Sequence, residues 1–332
     1  MTTISPITAK FLRVSMLKGV GPSALKRLMV EPDLIEIAAE DLASRLTNAA
    51  KVLETSGAWE IANEEAEKQI SLASEAGDQI LSHWDDDFPR LLSATSDAPF
   101  FLYVRGKLSD TPERCVAVIG TRDPTDHGKT TAKRITAWCV EQGLSIVSGL
   151  AKGCDSVAHQ QALDSDGHTV AVLGHGLHTI YPASNKKLAA DILAKGGALV
   201  SEFPYGTPTS SQQLVKRDST QAGFAQVVVM VQSDLTGGSL HASRAALRYG
   251  RWLAVPVPTT RDETSAEPKA QANRLLASSS TQEIQTLLKC RIEDLQRLIV
   301  LKSREDYGKL LQHRALTPSK SNEPRPEQGA LL

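Results

Sequence analysis

The sequence predicts an α/β protein in which a small all-helical domain precedes a doubly wound, mostly parallel sheet. From Arg114 onward, short apolar runs rich in β-branched residues alternate with helical stretches, which is the pattern of βαβ units. Before that point, residues 1–78 have the spacing of amphipathic helices. Because crossovers between parallel strands are right-handed, the loops after the strands meet at one edge of the sheet, as in Rossmann-like folds.

Six runs are predicted as strands because each is short, apolar and followed by a turn-like sequence. They are CVAVIG (115–120), LSIVSG (144–149), HTVAVLG (168–174), ALVSE (198–202), QVVVMVQ (226–232) and WLAVPV (252–257). The predicted domains are a helical domain at 1–78, an irregular linker at 79–113, the Rossmann-like domain at 114–290, and a helix with a tail at 291–332. Proline, serine and charged residues dominate that tail, so it is predicted to be disordered.

The N-terminal domain is expected to contain helical segments around 7–17, 21–30, 34–54 and 58–76. Its stretch LKGVGPSALKRL has the apolar–Gly–apolar–Gly pattern of a helix-hairpin-helix, whose turn can offer backbone N–H groups to a phosphate of DNA. A plain turn between two helices, with Pro22 near the start of the second, explains the same residues. The sequence leaves both interpretations open.

The composition is that of an ordinary globular protein. Hydrophobic residues make up 41% of the 332 residues, charged residues 23%, and the formal net charge is −1. Nucleic-acid binding would therefore need a local basic patch. No apolar run approaches the ~18 residues of a membrane-spanning helix, so no membrane contact is expected. The cysteines lie far apart without a CxxC pair, which predicts free thiols and a cytoplasmic location: Cys115, Cys139, Cys154 and Cys290.

Two stretches resemble nucleotide-binding motifs but lack an essential residue. HGKTT would need a glycine at Asp123 to form a P-loop, and GHGLHT has Thr179 where a dinucleotide fingerprint has its third glycine. His175 and His178 have a spacing found in metal sites, but no further ligand lies near them in sequence. We therefore predict no cofactor and no metal.

The stretch SIVSGLAKGCDSVAH predicts a strand, a tight turn and a helix. Gly149 and Gly153 allow the turn, and Asp155 is expected to cap the helix. His159 follows one helical turn later, where its side chain can meet that of Asp155. The same turn would present backbone N–H groups and Lys152 to an anion such as phosphate. We assign Asp155 and His159 a structural role at this site.

Other loops at the same edge add glycines and cations. The predicted phosphate-binding residues are, in chain order, Gly120, Arg122, Gly149, Lys152, Gly153, Lys216, Arg217, Gly237, Gly238 and Ser239. The last three precede a helix, whose N-terminus would favour an anion. Along and after that helix, Arg244, Arg248 and Arg251 have spacings that share one face.

Seven motifs in order resemble those of the DNA-processing protein A family, also called DprA or Smf. They are GTRDPT, VSGLAKGCDSVAH, AVLGHGLHTIYPASN, SEFPYGTP, VKRDSTQAG, GGSLHAS and AVPVP, and the resemblance covers roughly residues 80–290. It implies a Rossmann-like domain that binds single-stranded DNA without hydrolysing it. It also implies a homodimer that helps to load a RecA-type recombinase during DNA processing and natural transformation.

The chain departs from the family pattern at three places. Where the family has Arg-Asn-Arg, this chain has Arg217, Asp218 and Ser219, so that one arginine is lost and an acid is gained. Gln232 replaces a glutamate, and GGSL replaces SGSL. No basic winged-helix sequence follows residue 290.

Two other functions stay open. Related folds serve nucleotide sensors and phosphoribohydrolases, but the helix SLHASRAALRYG contains no acid for acid–base chemistry. Asp155 and Glu202 are the remaining candidates for a catalytic carboxylate, and helix capping or loop stabilisation explains the presence of both. A paralogue retained as a protein-interaction scaffold is the other alternative. The sequence favours a binding protein without catalytic residues.

Overall fold

The computed structural model describes residues 3–31, 33–111 and 113–312, and one sheet runs through its α/β part. The strands are β1 (Gln79–Ser82), β2 (Phe101–Gly106), β3 (Cys115–Ile119), β4 (Ser145–Ser148), β5 (Thr169–Leu173), β6 (Ala198–Ser201), β7 (Val227–Met230), β8 (Trp252–Pro256) and β9 (Leu298–Leu301). Their order in the sheet is β1-β2-β6-β5-β4-β3-β7-β8-β9. Strands β3 to β9 are parallel, whereas β2 pairs antiparallel with both β1 and β6.

The six predicted strands are confirmed as β3 to β8, each within its predicted run. The chain winds outward from β3 in two directions, since β4, β5 and β6 lie on one side of it and β7, β8 and β9 on the other. This arrangement is the predicted doubly wound, Rossmann-like sheet. The loops after β3 to β9 share one edge, which we call the carboxyl edge, where such sheets bind ligands.

Helices cover both faces of the sheet. One face carries α7 (Asp126–Glu141), α8 (Cys154–Asp164) and α9 (Lys186–Ala194), and the other carries α10 (Ser211–Phe224), α11 (Ser239–Arg248), α13 (Gln271–Ser278) and α14 (Thr281–Leu288). The remaining helices of this part are α6 (Arg90–Ser93), α12 (Thr260–Thr264) and α15 (Lys309–Gln312). Alternate side chains of β3 enter opposite cores, so that Val116 and Val118 pack on the α7 side, and Ala117 and Ile119 on the α10 side.

Two regions outside the N-terminal helices differ in secondary structure from the prediction. The stretch expected to be irregular, 79–113, contains β1 and β2. After residue 290, a 3-10 helix (Ile292–Arg297) and β9 occupy the place of the expected α-helix. Strands β1 and β9 form the two edges of the sheet and β2 lies next to β1, outside the six runs that the alternation of apolar segments and helices marks. The division of the chain into domains stays a prediction, and the predicted disordered tail lies beyond the described residues.

The N-terminal helices are α1 (Pro6–Ser15), α2 (Pro22–Leu28), α3 (Ala39–Ser44), α4 (Thr47–Leu53) and α5 (Ala58–Ala76). The segment 34–54, predicted as one helix, is two short helices after a turn. Lys10 Nζ stabilises that turn by donating hydrogen bonds to the carbonyl oxygens of Leu34, Ile35 and Ile37. Both interpretations of LKGVGPSALKRL remain predictions, because each requires the turn seen between α1 and α2.

The thiols of Cys115, Cys139 and Cys154 are free and buried, and that of Cys290 is free and partly buried. Burial raises the pKa of each of the three buried thiols to about 12, which keeps them protonated. Within 3–31, 33–111 and 113–312, no helix combines the length and the apolar character needed to cross a bilayer.

The carboxylate of Asp78 joins three elements beside the sheet. It lies between α5 and β1, is fully buried, and accepts two hydrogen bonds of 2.7 Å from the Arg105 guanidinium of β2. It also accepts a short hydrogen bond from the Tyr205 hydroxyl, in the loop after β6. Gln69 of α5 adds hydrogen bonds to the backbone N–H and carbonyl of Tyr205. This cluster attaches the loop after β6 to the helical region.

We predict that Asp78→Ala lowers the free energy of unfolding by about 3 kcal/mol, because Arg105 and Tyr205 lose a shared buried acceptor. Urea unfolding checks this. Asp191→Ala is the matched control: its pair with Lys187 is exposed at the surface, so the change should stay below about 1 kcal/mol. Equal losses in the two variants would contradict the role given to Asp78.

Candidate functional site

A cavity of about 380 Å³ opens at the carboxyl edge, between the loops after β3, β4 and β5 and the helix α10. Arg122 comes from the first loop, Lys152 from the second, and Arg217 from α10. Three of the predicted cations are therefore brought together. Their convergence follows from the topology, because β3, β4 and β5 are neighbours in the sheet.

The floor of the cavity is formed by Arg217, whose side chain is almost completely buried. Its guanidinium lies where a Cβ atom on Gly149 would be, so only glycine fits at the end of β4. Arg217 Nη1 lies 3.6 Å from Asp155 Oδ2, and Arg217 Nε lies 3.3 Å from Asp218 Oδ1. A buried cation needs such partners, because removing a charge from water is costly.

Asp155 does not cap helix α8, and the sequence prediction of a cap is wrong. The helix starts at Cys154, and its N-cap residue is Gly153. The Asp155 carboxylate instead accepts hydrogen bonds from the upstream N–H groups of Gly149 (3.1 Å) and Ala151 (3.4 Å). Asp155 therefore closes the loop between β4 and α8 and connects it to Arg217. Burial raises its pKa, and Arg217 and the backbone donors oppose that shift.

His159 is fully buried and does not pair with Asp155. Its Nδ1 atom lies 2.7 Å from Thr169 Oγ1 of β5, and Thr169 in turn donates to the Ile146 carbonyl. Burial lowers the pKa of His159 to about 3, and the nearby Arg217 charge adds to the effect. A neutral ring that connects α8 to the sheet fits the structural role predicted for it.

The loops after β3 and β4 approach each other through two of the predicted glycines. A Cβ atom on Gly153 would clash with the backbone of Thr121 and Arg122, and one on Gly120 would clash with Cys154. Gly153 also has a φ of +80°, which an L side chain rarely adopts. These glycines place Arg122 beside Lys152 by allowing backbone contact; their binding of phosphate stays a prediction.

The other predicted residues lie outside the cavity lining. Lys216 Nζ is 2.7 Å from Glu202 Oε2 and 5.4 Å from the centre of the Phe203 ring. Gly237, Gly238 and Ser239 follow β7, on the other side of β3, where Ser239 Oγ donates to Ser233 Oγ at 2.8 Å. The sequence placed all of these residues in one site, and the structure separates them.

The three arginines expected to share a face are used for structural contacts. Arg244 donates to the Leu287 carbonyl, Arg251 donates to the Leu91 carbonyl, and Arg248 pairs with Asp97 at 2.8 Å. Arg251 is buried as well. This group offers no cationic surface next to the cavity.

Sequence reasoning missed the aromatic wall of the cavity. Tyr181, in the loop after β5, lines the cavity and is 47% exposed. His175 from the same loop is buried, and burial lowers the pKa of its ring. The signal was present in the motif GHGLHTIYP, which places an aromatic residue after a strand of the carboxyl edge.

At the reversal point between β3 and β7, a protein side chain covers the place where such sheets bind a pyrophosphate. Gln232 Oε1 accepts a hydrogen bond of 3.0 Å from the Thr125 N–H, next to the start of α7. Gln232 Nε2 donates to Thr125 Oγ1 at 2.9 Å, and the side chain packs against Gly128. The N-terminus of α7 is therefore closed to a dinucleotide.

A second groove, of about 730 Å³, lies between α7 and the segments after β8 and β9. None of the predicted site residues lines it. In the part of the chain that the structure describes, no group of three or more His, Cys, Asp or Glu side chains is arranged to hold a metal ion.

The sequence profile of the family described as DNA recombination-mediator protein A matches residues 79–289. Protein Smf of Escherichia coli (strain K12) is 40% identical over 172 residues, 52% of this chain and 46% of that protein. DNA processing protein A of Streptococcus pneumoniae has a TM-score of 0.66 at 24% identity, covering 91% of this chain and 97% of the other. DNA processing protein A of Helicobacter pylori has a TM-score of 0.56 at 23% identity, and the match covers 72% of this chain and 98% of the other. The chain spans about half the length of the curated relatives it matches, and the two structures share its fold.

We predict that Gly149→Ala lowers the free energy of unfolding by about 3 kcal/mol, because the new methyl group displaces the Arg217 guanidinium from its carboxylates. Thermal and urea unfolding measure the loss. Gly238→Ala is the control, since no atom lies within 4 Å of the added Cβ, and it should change stability by only about 0.5 kcal/mol. A tolerated alanine at residue 149 would show that Arg217 is not held as described.

Proposed function

Because the chain belongs to the DNA recombination-mediator protein A family, we propose that it binds single-stranded DNA at the cavity of the carboxyl edge and does not hydrolyse it. The observation that carries the proposal is the meeting of Arg122 and Lys152 beside an exposed aromatic ring, Tyr181. Cations along a groove and aromatic rings on its wall are what single-strand binding requires.

Arg122 and Lys152 are free to hold phosphate. Both side chains are exposed, and neither makes a hydrogen bond or an ion pair with another described residue. Other cations at this edge are already paired, as Lys216 is with Glu202 and Lys269 is with Asp123. The formal net charge of −1 gives no general attraction to DNA, so the affinity must come from this local pair.

Tyr181 favours an unpaired strand over a duplex. Its exposed ring can stack on a base only if the base is not already paired and stacked within a helix. The Helicobacter pylori DNA processing protein A, which shares the fold, has a single-stranded DNA binding mode of its own. That relationship supports the same class of ligand here.

Three contacts favour binding over catalysis or nucleotide sensing. Gln232 closes the α7 N-terminus against a nucleotide phosphate. Asp155 is occupied by two backbone N–H groups and Arg217. Glu202 is buried against Lys216 and Thr220. No carboxylate among these is left to act as the general base of a phosphoribohydrolase.

The proposed role extends to DNA processing and recombination, which the family description supports. A homodimer and a RecA-type recombinase as partner remain predictions from the family resemblance. They require surfaces other than the cavity, and their test is pull-down with a recombinase and sedimentation of the purified chain.

We predict that Arg122→Ala and Lys152→Ala each weaken binding of a dT oligonucleotide by roughly tenfold, the loss expected for one charged hydrogen bond. Each variant should also lower the slope of log affinity against log salt by about 0.7, since one phosphate contact is lost. Fluorescence anisotropy from about 50 to about 200 mM salt measures both quantities.

The control for these variants is Lys107→Ala. Lys107 is an exposed lysine at the opposite edge of the sheet, where it pairs with Asp110 at 3.0 Å. It should leave both affinity and slope unchanged. Equal effects of the three substitutions would mean that the chain binds DNA by unspecific charge, and binding insensitive to Arg122 and Lys152 would overturn the proposed site.

We also predict that Tyr181→Ala weakens dT binding by roughly tenfold without changing the salt slope, because stacking is lost and no phosphate contact is. Tyr181→Phe retains the ring and should bind like the unaltered chain. A loss in the Phe variant as large as that in the Ala variant would assign the hydroxyl, and not the ring, to binding.

A further inference from the structure

The guanidinium of Arg217 lines the cavity, and two carboxylates outside the lining pair with it. Arg217 of α10 lies between Asp155, at the start of α8, and Asp218, its neighbour on α10. The Asp218 side chain is 17% exposed, whereas that of Asp155 is 8% exposed. The positive charge that Arg217 presents to an anion in the cavity is therefore offset by carboxylates behind it.

Asp218 also lies within the field of Arg122, the cation that we assign to phosphate. When both aspartates are ionised, they offset two of the three positive charges of Arg122, Lys152 and Arg217. When Asp218 is neutral, one charge is offset by Asp155 and two remain. The net charge available to a phosphate thus depends on one carboxyl group.

Asp218 is held less firmly than Asp155. Asp155 accepts hydrogen bonds from the N–H groups of Gly149 and Ala151. Arg217 Nε faces Asp218 at 3.3 Å, yet it forms no hydrogen bond with any described residue. Hydrogen-bond donors stabilise the charged form of a carboxylate. Asp218 has no such donor among the described residues, so it is the carboxylate to which we assign the proton below.

The charged and titratable groups that face Asp218 come from three elements. Arg217 shares α10 with it, Asp155 belongs to α8, and Arg122 follows β3. The rings of His159 and His175 lie near Arg217, and burial lowers the pKa of both. Since the pKa of His159 is lowered to about 3, its ring stays neutral between pH 6 and 8.

We propose that Asp218 is an internal competitor for the DNA phosphate, which pairs with Arg217 when it is ionised and releases that arginine when it is protonated. This inference rests on the proposed single-strand binding at the cavity, and it concerns the regulation of that site. It requires no rearrangement of the fold, because the two states differ by one proton.

The direction of the pH effect follows from linkage. Burial raises the pKa of Asp218 to about 7, with Asp155 adding to the rise and Arg217 and Arg122 opposing it. A bound phosphate adds a negative charge and raises that pKa further. Binding therefore takes up a proton, and affinity increases as the pH falls from 8 to 6. A rise of about one pKa unit in the complex predicts a roughly fivefold gain over this interval.

The experiment measures the affinity for a dT oligonucleotide at pH 6, 7 and 8 and constant salt, with the unaltered chain and with Asp218→Asn. Thymine does not titrate in this interval. The Asn variant should bind at pH 8 as tightly as the unaltered chain binds at pH 6, and it should lose most of the pH dependence. All histidines are present in both proteins, so the difference between them isolates Asp218.

Asp123→Asn is the matched control. Asp123 is an exposed aspartate in the same loop as Arg122, paired with Lys269, and that pairing lowers its pKa. It stays ionised from pH 6 to 8, so this variant should keep the full pH dependence. Calorimetry of the unaltered chain in buffers of different ionisation enthalpy should record uptake of about half a proton per complex at pH 7.5.

The inference is overturned if both the unaltered chain and Asp218→Asn bind DNA with the same pH dependence. It is also overturned if DNA binding takes up no proton. In either case the proposed function stands. Absence of DNA binding in both folded proteins overturns the proposed function and the inference with it. Proton uptake in the unaltered chain needs no variant, so the test holds even if Asp218→Asn is unstable.

Discussion

The carboxyl edge of the sheet depends on one buried cation. The guanidinium of Arg217 occupies the space beside Gly149 and has the carboxylates of Asp155 and Asp218 as its ion-pair partners. Asp155 in turn holds two N–H groups of the loop after β4. The position of Lys152 in that loop therefore depends on Arg217, whose side chain is almost completely buried. Removing the charge would loosen the loop, and adding a side chain at residue 149 would expel the charge.

The cations of the carboxyl edge differ in whether a carboxylate already pairs with them. Lys216 and Lys269 are already paired with carboxylates, and Arg122 and Lys152 are not. Such a distribution explains how a chain with nearly balanced charge can offer a defined phosphate site. In the proposed site, the exposed ring of Tyr181 is the surface on which an unstacked base would lie beside the phosphates. Gln232 forms hydrogen bonds with Thr125 at the start of α7, where related sheets bind a nucleotide phosphate.

Topology was predictable from the sequence, whereas side-chain pairing was not. The alternation of apolar runs with helices predicts β3 to β8, and parallel winding then brings Arg122 and Lys152 to one edge. The strands β1, β2 and β9 lie outside the six runs that this alternation marks, so it does not predict them. Capping rules assign Asp155 to its own helix, but the carboxylate points back to Gly149, since Arg217 draws it inward. No local pattern reveals that Lys216 meets Glu202, because tertiary packing decides that pair.

A structure of the chain with a short dT oligonucleotide tests the central claim most directly. The account predicts one phosphate within hydrogen-bond distance of both Arg122 and Lys152, with a thymine ring stacked on Tyr181. It also predicts that Gln232 keeps its hydrogen bonds to Thr125, as in the free chain. A phosphate bound instead at Gly237–Ser239, or at the turn between α1 and α2, with the cavity unchanged, would contradict it.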